Sequence, residues 1–304
     1  MRLFKKTNID FMGVRGRMYL MSSAIIFIGL ISLFIKGINY GIDFRGGTEL
    51  VVSFNSPPDY RQLRSLLGKA GFADSEIKSF GNERTILIRT IQQGEGFTVG
   101  NKIKDALQAD LPKESFQVLR EDKVGPKIGK ELRRDAGYAV IASLMVILAY
   151  VAIRYKFSYG MGAVLALFHD VLLTLGVLSL LDGVFPFLNL EITQEIIAAL
   201  LTLVGLSVND TVVVFDRMRE NSKIYRSMSL FDVMNKSLND TLSRTIITSG
   251  TILIVLLVLL FAGGEVTRGF AFALTIGIIT GTYSSIYIAS AIVLDNSLRT
   301  KKVE

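Results

Sequence analysis

The stretch ITQEIIAALLTLVGLSVNDTVVVF, residues 192–215, decides the fold. It is 24 residues long and apolar except for a few hydroxyls, amides and two acids, Glu195 and Asp210. A helix needs roughly 17–25 such residues to cross a hydrocarbon layer of ~30 Å. Five more runs of this kind flank it, at 18–35, 137–153, 160–181, 246–262 and 269–294. Six spanning runs exclude a soluble enzyme. They also exclude a transmembrane β-barrel, whose segments are about ten residues of alternating pattern. The expected fold class is an α-helical membrane protein with six transmembrane helices. The composition agrees: of 304 residues, 50% are hydrophobic and 20% charged. Cysteine is absent and His169 is the single histidine, so thiolate and multi-histidine metal sites are excluded and no cofactor is expected.

The net charge of +7 could point to nucleic acid, but its distribution argues against that partner. Lysine and arginine near short loops report orientation. Arg2, Lys5, Lys6, Arg15 and Arg17 precede the first run, and Arg154 and Lys156 follow the second. Arg217, Arg219, Lys223, Arg226, Lys236 and Arg244 lie between the fourth and fifth, and Arg299, Lys301 and Lys302 follow the sixth. The short loops of the opposite side, 182–191 and 263–268, hold only Arg268. Both termini are therefore expected in the cytoplasm. The first run reads as an uncleaved helix, because its 18 apolar residues exceed a signal-peptide core and IKGIN, residues 35–39, offers no small-x-small cleavage site. The expected divisions are a cytoplasmic tail 1–17, helix 18–35, an outer domain 36–135, five helices within 136–295 and a tail 296–304. Residues 217–243 are expected to form an amphipathic cytoplasmic helix, docking a partner or lying on the lipid surface.

The outer domain has 17 Lys+Arg and 14 Asp+Glu, a nearly balanced and solvated composition. Its pattern predicts a strand at 48–54, then a helix opened by Pro57-Pro58-Asp59 and stopped near Lys69 by Gly71. Strands follow at 75–80 and 85–90 around a Gly81-Asn82 turn. A helix from Thr98 to about Ala109 and a strand at 115–119 complete the order βαββαβ, that of a small ferredoxin-like α+β domain. Val124-Gly125-Pro126 breaks the chain, and 127–135 is a charged helical approach to the second span. The domain carries no paired carboxylates, nucleophile with base, or phosphate loop, so it reads as a binding module.

Ionisable groups within spans are costly, about 2.5–3.5 kcal/mol on insertion scales, and each is a functional candidate. Asp210 stands out, six residues before Asp216 and flanked by Leu203, Leu206, Val213 and Val214. Arg244 enters the fifth run from the same side and forms a polar stripe with Thr248 and Thr251. In antiparallel helices Asp210 and Arg244 are expected at similar depth, where separating them would load or release a proton. The alternatives are a static ion pair, or an arginine that snorkels to the interface. His169 and Asp170, mid-way along the third run, are either a proton relay or a packed hydrogen-bonded pair. Glu195 either lines an outer vestibule or is an interfacial carboxylate. Asn209 and Thr248 are the remaining accessory polar candidates. Gly277 and Gly281 form a GxxxG suited to close helix packing.

Two motifs are long enough to be specific: GIDFRGGTEL at 41–50, and VNDTVVVFDR at 208–217 followed by LSRT at 242–245. With one outer domain between the first two of six helices, they resemble the SecD/SecF family of protein-export membrane proteins, on its SecF side, within the RND-type transporter group. The resemblance covers essentially the whole chain. It implies half of a transporter that pairs with SecD, assists the Sec translocon channel and uses the proton motive force to draw preproteins across the bacterial cytoplasmic (inner) membrane. It implies no enzymatic activity. It assigns proton transport to Asp210 and Arg244, and makes Gly41, Asp43, Phe44, Arg45, Gly46, Gly47 and Glu49 a signature whose role the residues do not explain. The competing readings are a passive scaffold for translocating chains and an RND-like small-molecule exporter, for which the single outer domain is small.

Overall fold

The structure is a computed structural model describing residues 7–92, 94, 97–111, 115–155, 157–185 and 187–303. Arg2, Lys5, Lys6 and Lys156, used above for orientation, lie outside the described residues. The chain divides into two units. One comprises residues 1–37, 140–180 and 196–304; the other comprises 38–139 and 181–195.

The first unit is helical. Its elements are α1 (Arg15–Lys36), the second half of α5 (Pro126–Arg154), α6 (Phe157–Leu181), α7 (Gln194–Ile224), α8 (Leu230–Ala262), α9 (Glu265–Ser284), a π-helical turn at Ser285–Ala289 and α10 (Ser290–Val303). Six helical stretches are long and apolar enough to cross a membrane, the last running through α9, the π turn and α10. In lipid, helices associate through close packing rather than through hydrophobic expulsion from water. Small residues therefore mark the crossings. A Cβ on Gly29 would sit 2.6 Å from Gly176 Cα, and one on Gly162 would sit 2.8 Å from the Ala289 carbonyl. The expected GxxxG has partners on α7: a Cβ on Gly277 would meet Leu203 at 2.8 Å, and one on Gly281 would meet Ser207 at 3.2 Å. Toward the chain termini a cluster of Phe11, Met12, Tyr155, Phe215, Met218, Met234 and Leu294 is buried.

The segment 217–243 is not a helix of its own. α7 continues to Ile224, and α8 starts at Leu230. Nothing between Phe215 and Ile224 breaks a helix, so α7 does not stop where its apolar face ends. The single interruption is a short turn closed by Ser229, whose hydroxyl accepts from the Asp232 amide at 3.1 Å and caps α8. The start of α7 also differs from expectation. Ile192 is extended and bridges to Tyr40.

The second unit holds α2 (Ile42–Arg45), β1 (Gly47–Phe54), α3 (Tyr60–Lys69), β2 (Glu76–Phe80), β3 (Asn82–Thr90), α4 (Thr98–Asp110) and β4 (Phe116–Val124). The sheet order is β2-β3-β1-β4, antiparallel throughout, which is the ferredoxin-like arrangement expected. Period-two alternation sets its faces. Leu50, Val52, Phe54, Ile86 and Ile88 pack against Leu63 and Leu67 of α3 and Ile103 and Leu107 of α4. Asp59 caps α3 by accepting from the Arg61 amide at 2.8 Å. β4 is longer than predicted and runs to Val124, because its charged residues 120–123 pair with β1. The connection 181–195, read from sequence as a plain short loop, belongs to this unit.

Candidate functional site

In the helical unit, the register of the α7–α8 hairpin places the polar groups. Arg217 donates to Asp240 at 2.9 Å, and the Asn221 amide donates to Ser237 at 2.9 Å. Carried along two antiparallel helices, that register brings Asp210 opposite Ser249, whose hydroxyl donates to Asp210 Oδ2 at 3.3 Å. Thr282 of α9 donates in turn to Ser249 at 2.7 Å. Arg244, five residues before Ser249, is therefore somewhat more than one helical turn, about 7.5 Å, off the level of Asp210. No direct ion pair joins the two among the described residues. The expectation of similar depth was close, but more than a turn short. Arg244 is exposed, Asp210 half-buried and Asn209 exposed. Thr248 lines the same small cavity as Asp210, while Thr251 turns its hydroxyl back to the Thr248 carbonyl.

His169 and Asp170 are buried on α6. His169 Nδ1 is 2.9 Å from Asp170 Oδ1, and Ser207 and Ser284 donate to Asp170 Oδ2 at 2.6 and 2.7 Å. Glu195 is exposed at the start of α7, 15 residues or about 22 Å of helix from Asp210, so the two are not brought together. Sequence reasoning missed Ser207, Ser249, Thr282 and Ser284. The hairpin register would have found Ser249.

In the second unit the glycine motif becomes a structural knot. Gly41 begins the one-turn α2, and Gly46 and Gly47 have φ of +75° and +131°. A side chain at Gly46 would press on Val124 O and Pro126 Cα, both at 3.1 Å, and one at Gly47 would collide with the Thr90 carbonyl. Only glycine fits both the dihedrals and the space. Asp43 accepts from the Gln194 amide at 3.1 Å, and burial pushes its carboxyl above the ordinary aspartate range. Phe44 is buried edge-on to Tyr40, and Arg45 donates to Asn39 at 2.8 Å.

Glu49 leads to a charge cluster not legible in the motif. Arg89 on β3 is buried and bridges two buried carboxylates, donating to Glu49 at 2.6 Å and to Glu191 at 2.7 Å. Lys78 also pairs with Glu191, and Arg120 with Glu49 at 2.9 Å. Burial alone would raise the Glu191 carboxyl and lower the Arg89 guanidinium. The Arg89 and Lys78 contacts outweigh it, so Glu191 is held below and Arg89 above its ordinary value.

Comparison with known proteins agrees with this layout. Residues 103–299 match the family described as protein export membrane protein SecD/SecF, C-terminal, and residues 31–58 match the SecD/SecF GG motif. The chain belongs to the SecD/SecF family. It is 45% identical over 295 residues to protein translocase subunit SecF of Rhodothermus marinus, covering 97% of this chain and 95% of that one. To the SecF of Pseudomonas aeruginosa it is 39% identical, covering 94% and 91%. The crystal structure of SecDF, a translocon-associated membrane protein of Thermus thermophilus, matches with a TM-score of 0.85 at 38% identity. That match covers 96% of this chain but only 39% of the longer SecDF chain. As a SecD/SecF family member with six apolar helices, the chain is a multi-pass membrane protein.

Proposed function

We propose that this chain is a non-enzymatic subunit of the protein-export machinery. It is one six-helix half of a proton-coupled transporter in the bacterial cytoplasmic membrane, with both termini cytoplasmic and the outer domain on the far side. Its partners are a SecD-type second half, the Sec translocon channel, the translocating preprotein and the surrounding lipid. Nucleic acid is not among them. The observation that carries the reading is Asp210. It is a half-buried carboxylate within a span, held by Ser249, beside exposed Asn209 and with Arg244 more than a turn away. Exposed to lipid, that face would be costly. Against a second half it becomes an interface site, where RND-like folds bind their coupling ions. The SecF names of the relatives support the export role. The longer SecDF chain, of which this one spans 39%, has length for a second half. One charge crossing 100 mV yields about 2.3 kcal/mol, enough to bias a conformational step.

The test is Asp210→Asn in cells whose own copy has been removed. Gradient-dependent export is expected to be lost while the chain still co-purifies with a second six-helix protein. Normal gradient-dependent export by this variant would refute the conducting role and favour a passive scaffold.

A further inference from the structure

The His169–Asp170 pair lies one helix removed from Asp210. Asp170 is wholly buried, and His169 nearly so. The carboxylate accepts from the two serines, and its second oxygen faces His169 Nδ1. Among the described residues no lysine or arginine pairs with it. The neighbouring titratable group is Tyr283 on α9, whose ring centroid is 6.1 Å from that of His169 and whose hydroxyl is engaged with Met18 and Ser22. His169 Nε2 is buried with no hydrogen-bond partner. A buried charge with neutral donors alone is expensive unless it can take up a proton.

Ser207 connects this pair to Asp210. It precedes Asp210 by three residues on α7, so the two share a face. Both line a cavity of about 20 Å³ together with Asn209, Ser249 and Thr282. That is room for one water, with enough polar partners to hold it. Ser284, the other donor to Asp170, is not among the cavity's lining residues.

We propose that Asp170, with His169, is a second proton station, reached from Asp210 through Ser207. The inference rests on Asp210 carrying protons. In the transfer, protonated Asp210 gives its proton to a water in the cavity as that water gives one to Ser207 Oγ. Ser207 releases its own hydroxyl proton to Asp170 Oδ2. Every oxygen that gains an O–H bond loses one, except at the ends, so the net change is one proton moved from Asp210 to Asp170. His169 Nδ1, 2.9 Å from the other carboxylate oxygen, fixes the orientation of the carboxylate. The reverse sequence returns the proton.

The experiment uses the full chain with its co-purified partner half in proteoliposomes carrying an interior pH dye, under an imposed gradient. Four variants are compared with the parent: Asp170→Asn, Ser207→Ala, Ser207→Thr and Ser284→Ala. Loss of a positioned proton-transfer group typically costs at least about a hundredfold, so Asp170→Asn should cut proton flux by about that factor with assembly intact. Ser207→Ala should also cut it severely, and Ser207→Thr should restore it. Ser284→Ala removes a hydrogen bond from the same oxygen without touching the cavity, and should cut flux clearly less than Ser207→Ala. Equal effects of Ser207→Ala and Ser284→Ala would overturn the relay, because they would mark a packing role. So would parental flux in Asp170→Asn. An infrared difference spectrum gives a second readout: the carboxylic-acid band that appears on acidification should lose a component in Asp170→Asn, and an unchanged band would overturn the proposal. If Asp210→Asn itself conducts normally, the functional reading fails and the relay with it. If Asp210→Asn is dead while Asp170→Asn and Ser207→Ala conduct normally, the relay alone fails.

Discussion

Replacing Arg89 by methionine would remove the cation that two buried carboxylates share. Methionine approximates the length of the aliphatic stem, so the change isolates charge from packing. Glu49 and Glu191 would each keep one cation, Arg120 and Lys78, both partly exposed. Breaking a buried pair by deleting one partner costs about 3–5 kcal/mol. The surviving cations place this case near about 3 kcal/mol, since neither carboxylate is left wholly uncompensated. At 1.4 kcal/mol per tenfold, that is a rise of roughly a hundredfold in the opening equilibrium of the outer unit. The assay is amide hydrogen exchange on the intact, detergent-solubilised protein, read at β1 and β3. These are the central strands of the sheet, and their exchange reports opening of the whole unit. Protection there should fall by about two orders of magnitude, while α7 and α9 hold theirs. Adding Glu49→Gln and Glu191→Gln to Arg89→Met should recover most of the loss, because no unpaired charge then remains buried. Protection within threefold of the parent in Arg89→Met would refute the account of Arg89 as the unit's central ion partner.

The same cluster gives a pH dependence. Glu191 is held below its ordinary range in the folded unit, so its contribution is fully present above that range and lost as pH falls through its lowered value. Outer-unit protection should decline on acidification in the parent, and decline less steeply in Glu191→Gln; identical slopes would count against it. Gly47→Ala should destabilise the unit by about 1–3 kcal/mol from backbone strain alone, with further cost from the Thr90 carbonyl, and the thermal unfolding midpoint would show it. Gly29→Ile should separate α1 from α6, measurable as lost efficiency of a disulfide engineered between those helices in a cysteine-free background.

The membrane fold was legible because lipid imposes length and composition on each span, and six runs met both. The outer fold was legible because 85–90 is a short run rich in β-branched residues and turn residues bracket the strands. Helix ends were less so. The apolar run closes at Phe215 and the next opens at Ile246, but a helix ends where its backbone hydrogen bonding is interrupted, and that happens only around 225–229. Of the candidate site, Asp210 announces itself as an acid deep within an apolar run. Its partner Ser249 does not, because serine is ordinary in a membrane helix and only the hairpin register selects it. The Arg89 cluster was hidden differently. Glu49 and Arg89 sit on the strand face opposite Leu50 and Ile88, a position that usually meets solvent, and the residue that closes over them comes from a loop 102 residues beyond Arg89. Yet two opposite charges on one face of strands predicted to neighbour each other were a usable sign.

That separation has a consequence for biosynthesis. The outer sheet is complete once Val124 has emerged, but its inner arginine lacks one of its two buried carboxylates until Glu191 has been made. Ribosomes add about 5–20 residues per second, so the 102 intervening residues take on the order of five to twenty seconds. During that interval α5 and α6 must be threaded through the bilayer, while the outer sheet waits with its central ion cluster half assembled. The unit's central ion cluster therefore closes only after the chain on both sides of α5 and α6 has been made.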